Sequence, residues 1–429
     1  FSESPATTQI SLFESYFNEG DHTTLLGLRE IDNIVKPSCG NTSPPPSPNP
    51  PAPSGSCGGP MVTTWDFSDH PDSQPTLTLP ITRVFSRNYN ATIDWGDGTS
   101  SQVTSYNDPK ISHTYSSRGN FTITISGDLF DWGHDFGSPN EEWREYITKV
   151  ENLGDLSWLN LKFSSTPKLT EFSGGVTTNL ISMSEMFFRA GAAFNNWEVI
   201  HNHILNLDTS CFDTSNVKDM GQMFSGTKPA SLILTHFDTS SVTDMGSMFS
   251  GIKSLTDATF DISTFDTSSV TNMRSMFSQF YGVSTLNLSH FDTSQVTDMS
   301  YMFDGGECSS SMPLEVYLQN GDNCGAVENP PTSIILANWN TQNVEKMHLM
   351  FYDSGVTTLD LSSFNTSKVT DMYGMFGEAR VLTSLDLSNF DTQNVTYMGS
   401  MFSNTNSLSS LNFSSSFDTS KVTDMSGMF

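Results

Sequence analysis

The chain has 429 residues, enough for two or three domains, and 47 Asp and Glu against 19 Lys and Arg give it a formal net charge of −28. A surface this acidic repels polyanions, which argues against nucleic acid and anionic lipid as partners. No apolar run approaches the roughly 20 residues of a membrane-spanning helix, and the chain starts at Phe1 rather than Met, which we read as the mark of a removed signal peptide.

Residues 1–38 carry Ile10, Leu12, Phe13, Tyr16 and Phe17, then Leu25, Leu26, Leu28, Ile31 and Ile34. That is too much apolar surface for a solvated tail, so the segment is expected to pack on its own chain or on a neighbouring molecule. Residues 39–57 are a linker bracketed by Cys39 and Cys57, and its Pro-rich tract at 43–54 favours an extended polyproline II rod. An ordinary stiff linker accounts for this tract. Its Ser-Pro-Pro-Pro pattern is also similar to the hydroxyproline-rich segments of plant and algal wall glycoproteins, which implies hydroxylated prolines bearing short glycans.

From 58 to 130 the alternation of apolar and polar residues at Thr76–Leu79, Ala91–Trp95 and Phe121–Ile125 predicts β-strands. Asp94, Trp95, Gly96, Asp97, Gly98 and Thr99 form a tight-turn sequence, followed later by His113, Thr114 and Tyr115. This pair of motifs resembles the polycystic kidney disease (PKD) domain. The resemblance implies an all-β immunoglobulin-like sandwich that serves as a spacer or adhesive module and has no catalytic site. Asp94 and Asp97 could hold calcium, but turn formation is the favoured role. In 131–180 a helical stripe runs from Trp143 through Tyr146, Ile147 and Val150. Leu156, Leu159, Leu161 and Phe163 then open a repeat-like pattern. This stretch is read as an N-terminal cap on the repeats.

Residues 181–429 are organised around one motif, seen whole at Phe212–Phe224, Phe237–Phe249, Phe291–Phe303 and Phe417–Phe429. Altered copies run Phe265–Phe277, Phe364–Phe376 and Phe390–Phe402. Trp339–Phe351 is a weaker one, and Met183–Phe187 is the stub of a first. Most closing phenylalanines recur about every 25 residues, with an insertion near 304–331. Val217, Met220, Met223 and Phe224 share the i, i+3, i+6, i+7 spacing of one helix face, with Thr214 or Ser215 as its cap and Asp219 in its first turn. Runs such as Leu286–Leu288 and Leu385–Leu387 alternate as short strands.

Strands of this kind followed by the Phe-Asp-Thr-Ser motif resemble the BspA-like, or Mycoplasma-type, leucine-rich repeat of surface proteins. The resemblance implies an α/β leucine-rich-repeat solenoid, an extracellular location and a non-enzymatic role.

The cysteines that bracket loops predict disulfides Cys39–Cys57 and Cys308–Cys324 and an oxidising compartment. Cys211 is left over, read as a small buried residue in preference to an intermolecular bridge. Asn41, Asn90, Asn120, Asn287, Asn365, Asn394 and Asn412 each open an Asn-x-Ser/Thr signal, and covalent glycans are expected at several of them. No phosphate loop, zinc-protease motif or nucleophile elbow occurs, so no catalytic residue and no cofactor is assigned. Recurrent aspartates occupy two motif positions. One holds Asp213, Asp238, Asp266, Asp292, Asp391 and Asp418, and the other holds Asp219, Asp244, Asp298, Asp371 and Asp424. Bonding of backbone N–H groups is favoured for them over calcium bridging.

Two functions follow. The first is a secreted, glycosylated structural subunit of an extracellular fibre or coat. Here the apolar residues 1–38 or the sandwich of one molecule are expected to dock on the repeat edge at Phe429 of the next, propagating head to tail, unless further repeats and a cap follow Phe429. The alternative is a cell-surface adhesin that binds a protein or glycan through the concave repeat face.

Overall fold

The computed structural model describes residues 57–81, 88–133, 142–195, 198–306 and 330–429, together with the short paired strands Glu14–Ser15 and Leu26–Gly27. The chain divides into two compact units, Phe1–Asn49 and Pro50–Phe429. Within the first, Glu14–Ser15 and Leu26–Gly27 pair antiparallel. The second holds everything that follows.

Its largest sheet has seven strands, in the spatial order Asn206–Asp208, Glu171–Ser173, Ile147–Asn152, Met61–Asp66, Asn120–Asp128, Asn90–Asp94 and Ser100–Val103. The strands before Asn152 pair antiparallel, as their alternation and the tight turn at 94–99 favour. Ile147–Asn152 is the junction. It pairs antiparallel with Met61–Asp66 on one side and parallel with Glu171–Ser173 on the other, which in turn pairs parallel with Asn206–Asp208. A second small sheet joins Thr76–Thr78 to Ser112–Thr114. Met61, Trp65, Ile93, Trp95, Ile123 and Ile125 are fully buried in this region, because alternate strand residues all point to one face.

The expected α/β leucine-rich-repeat solenoid preceded by an immunoglobulin-like sandwich is corrected by the structure. The described residues are almost all β, in several small sheets. Their only helical segments are single 3₁₀ turns at Pro109–Ile111 and Glu142–Glu145. The stripe beginning at Trp143 is one such turn followed by a strand. The stripe in each repeat motif is a run of tight turns.

Backbone hydrogen bonding in the copy at Asp244–Gly251 explains why. The Met245, Ser247, Phe249 and Gly251 N–H groups donate outward, to the Asn272, Arg274, Met276 and Ser278 carbonyls of the next copy, at 3.1, 2.8, 3.0 and 2.8 Å. The intervening groups close locally. Gly246 N–H donates to Asp244 Oδ1 at 2.8 Å, Met248 to the Met245 carbonyl and Ser250 to the Ser247 carbonyl. Strict alternation between neighbour and self is incompatible with a helix, where every N–H reaches back four residues. It also requires a left-handed residue at the second position after the first Met. Gln222, Ser247, Ser275, Tyr301, Leu349 and Ser400 all have φ between 55° and 59° there, and Gly374 and Gly427 have 59°. A non-glycine residue in this region costs about 1–2 kcal/mol, which the bonds to the next copy offset.

Side chains follow the same logic. Val242, Met245, Met248 and Phe249 are fully buried, as are Val217, Met220, Met223 and Phe224, so the apolar spacing marks the core even though it marks no helix. The closing phenylalanines stack in register. Phe187, Phe224, Phe249, Phe277, Phe303, Phe351, Phe376, Phe402 and Phe429 follow one another with ring centroids 5.4–6.0 Å apart. The motif threonine is not a helix cap. Thr239 is buried, donates its hydroxyl to the Asp266 carbonyl at 2.9 Å and accepts from Asp266 N–H at 2.8 Å. Thr239→Val keeps the shape and strips both bonds, so it should lower stability by about 1–3 kcal/mol. Chemical denaturation checks this; a wild-type midpoint would show that the threonine row carries nothing.

Cys57 and Cys211 form a disulfide, with Cα atoms 5.5 Å apart, inside the usual range for a bridge. This replaces the expected Cys39–Cys57 pair and the reading of Cys211 as an unpaired core residue. Bracketing in sequence says nothing about nearness in space, and the fold brings position 211 to position 57. Cys39, Cys308 and Cys324 lie outside the described residues, as do the Pro-rich tract and most of the insertion.

Candidate binding surface

The aspartates of the motif settle into two turn-forming rows. In the first, Asp213, Asp238, Asp266, Asp292, Asp391 and Asp418 each accept the backbone N–H two residues on, at 2.8–3.1 Å. Asn365 does the same for Ser367. In the second, Asp219, Asp244, Asp298, Asp371 and Asp424 accept from Gly221, Gly246, Ser300, Tyr373 and Ser426 at 2.8–3.0 Å. Asp94 and Asp97 play the same part in the tight turn, accepting from Gly96 and Thr99. His113 meets Asp97 Oδ2 at 2.7 Å and stacks on Trp95. Each carboxylate thus has a structural task.

The second row runs through the repeats as parallel bridges from Ser182 to Asp219, Asp244, Asn272, Asp298, Lys346, Asp371, Tyr397 and Asp424. After Asp244 the aspartates alternate with Asn272, Lys346 and Tyr397. Departures from the motif therefore fall where they separate like charges. Asn272 donates to both Asp244 oxygens at 3.0 Å, and Lys346 Nζ lies 3.9 Å from Asp298. Burial pushes the Asp371 carboxyl up, but bonds from His348 and Tyr373 and the nearby charges outweigh this and hold it below the usual carboxylate range. Asp424 is held below that range by the Ser426 hydroxyl and N–H.

Beside this row the two positions after each first Met change character along the repeats. Gly221 and Gly246 give way to Arg274, then Tyr301, His348 and Tyr373. Arg274 sits over the Tyr301 ring at 4.7 Å, and Tyr301 meets His348 edge-on at 4.9 Å. His348 Nδ1 is 3.3 Å from Asp371. Tyr373 and Tyr397 are exposed, at 39% and 50%. A side chain added at Gly399 would meet the Tyr373 ring at 3.1 Å and Asp424 Oδ2 at 3.2 Å, so ring and carboxylate converge over that glycine. The result is a strip of aromatic and charged groups running along the repeats beside the aspartate row. The sequence reading missed this strip; the signal was the bulky residues Arg274, Tyr301, His348 and Tyr373 just after the first Met, with Tyr397 at a position that elsewhere holds Asp.

The family model described as a Mycoplasma protein of unknown function, DUF285, matches residues 128–230, 181–313 and 326–429. The chain belongs to the DUF285 family. No curated protein and no solved structure matches it. The DUF285 matches cover every copy of the strip as well as the Ile147–Asn152 junction.

The remaining assigned residues are placed as follows. Asn90, Asn120, Asn287, Asn365, Asn394 and Asn412 are exposed, and Asn41 lies outside the described residues. The Asn287 and Asn365 side chains accept the hydroxyl of the serine in their own signals, at 2.8 and 2.7 Å. Among the described residues no group of His, Cys, Asp and Glu is arranged to hold a metal, and no helix is long and apolar enough to cross a membrane.

Proposed function

We propose that this DUF285 protein is a non-catalytic adhesin, secreted or displayed on a cell surface, that binds a partner through the strip containing Tyr301, His348, Tyr373 and Tyr397. The observation that carries the reading is the pair of exposed tyrosines, fixed in adjacent copies by a backbone tied copy to copy. Rigid aromatic groups give contact area at little entropic cost, and they dominate binding surfaces for that reason. The Cys57–Cys211 bridge supports an oxidising, extracellular setting. The resemblance to BspA-like surface proteins agrees with this, and the exposed Asn-x-Ser/Thr signals are proposed glycan sites for the same setting.

A heterologous bacterium displaying the full chain tests the proposal, scored for attachment to serum-coated glass. Attachment that falls when Tyr373→Ser and Tyr397→Ser are combined is expected. Attachment unchanged by the pair would remove the strip from the account. Head-to-tail assembly into a fibre is the second reading. It rests on the apolar residues 1–38, and sedimentation of the full chain against one lacking 1–38 tests it, with polymers only from the full chain as the expected result.

A further inference from the structure

We infer that the Tyr373–Tyr397 end of the strip takes a cationic partner, a lysine- or arginine-rich segment of another protein. This rests on the binding role proposed above and names its chemistry.

Three observations converge. First, the chain itself shows what these rings accept. Tyr301, in the same strip, carries the Arg274 guanidinium over its ring at 4.7 Å, a geometry in which the ring quadrupole attracts a cation. Among the described residues no Lys or Arg is placed over Tyr373 or Tyr397, whose exposures of 39% and 50% leave their rings open to solvent. Second, the flanking groups are anions. Tyr397 stands between Asp371 and Asp424 in the ladder, and Asp424 Oδ2 converges with the Tyr373 ring over Gly399. Asp371 already faces His348 and Lys346 of the preceding copy. Asp424 takes the Ser426 N–H and hydroxyl on Oδ1, and among the described residues no cation pairs with it, so its charge is not offset within the chain. Third, the net charge of −28 draws cations from a distance and repels anions. A neutral sugar would stack on the rings but gain nothing from the carboxylates or from that field.

Gly399 makes the platform specific. Its missing side chain leaves the space in which the Tyr373 ring and Asp424 meet. A valine there should push the Tyr373 ring aside, with little effect on folding because the crowded atoms belong to side chains and not to backbone.

Fluorescence anisotropy with a labelled oligolysine, using the full chain, tests the inference. Wild type should bind, and binding should weaken as salt rises. Tyr373→Ser combined with Tyr397→Ser should weaken it about tenfold, as loss of two cation–π contacts implies. Asp424→Asn and Gly399→Val should each weaken it less, all at unchanged melting temperature. Oligolysine that binds wild type and the double tyrosine variant equally is held by diffuse charge, and the inference fails. If oligolysine does not bind wild type but the tyrosine pair still abolishes attachment to serum-coated glass, the cationic partner is wrong and the adhesin reading stands. If neither assay responds to the tyrosine pair, both fall.

Discussion

Met248→Ala and Phe249→Ala should each destabilise the repeats by about 2–5 kcal/mol, the cost of emptying a fully packed site. Both side chains are completely buried. Phe249 lies in the ring stack, 6.0 Å from Phe224 and 5.5 Å from Phe277, and meets Phe260 edge-on at 5.4 Å. Its loss opens a gap between two neighbours whose backbones are pinned by bonds between copies, so collapse into the gap is restricted and the upper half of the range is expected for Phe249. Met248 is an unbranched side chain with less packed volume than a ring, which places it lower. Thermal or denaturant unfolding of each variant checks the order as well as the size. A wild-type melting temperature in either would mean that the motif side chains do not form the core.

Removing the Cys57–Cys211 disulfide is the second large effect. The bridge closes a loop of 154 residues, and the chain-entropy relation gives about 5 kcal/mol for a loop that long. It ties the start of the antiparallel strands to the first complete repeat, so its loss should act mainly on the junction strands Ile147–Asn152, Glu171–Ser173 and Asn206–Asp208. Cys57→Ser and Cys211→Ser should lower the melting temperature alike, and the double variant no further. Non-reducing peptide mapping should recover the 57–211 linkage. A Cys39–Cys57 peptide, or single variants that differ from each other, would contradict it.

Much of this fold can be read from the chain, up to a definite point. Alternation at 91–95 and 121–125 marks strands because a strand buries every second residue, and the structure has strands there. Val217, Met220, Met223 and Phe224 are inside because apolar residues at a fixed spacing must share a face. Whether that face belongs to a helix or to a run of turns is decided elsewhere, by carbonyls about 25 residues away that capture alternate N–H groups. Periodicity within one copy carries no trace of those bonds. Asp213 and Asp219 act as turn formers, a local role that local sequence can show. Cys57 and Cys211 meet only through the folded chain, and pairing by proximity in sequence fails for them. The strip was visible only as departures from the motif, at Arg274, Tyr301, His348, Tyr373 and Tyr397. Such departures acquire meaning once the copies are known to lie side by side.

That side-by-side arrangement is the central claim, because it holds the tyrosines in place. Residue-resolved hydrogen exchange over 244–251 tests it most directly. Met245, Ser247 and Phe249 donate to the next copy, so their amides should be protected together, opening only when the neighbouring copy detaches. Phe249→Ala should then speed exchange at Thr271 and Asn272 of that neighbour, whose N–H groups donate back to the Thr243 carbonyl, as well as in its own copy. Exchange at Met245, Ser247 and Phe249 that is independent of the neighbouring copy, with that neighbour unaffected by Phe249→Ala, would mean a self-contained helix in each repeat, and would contradict the account.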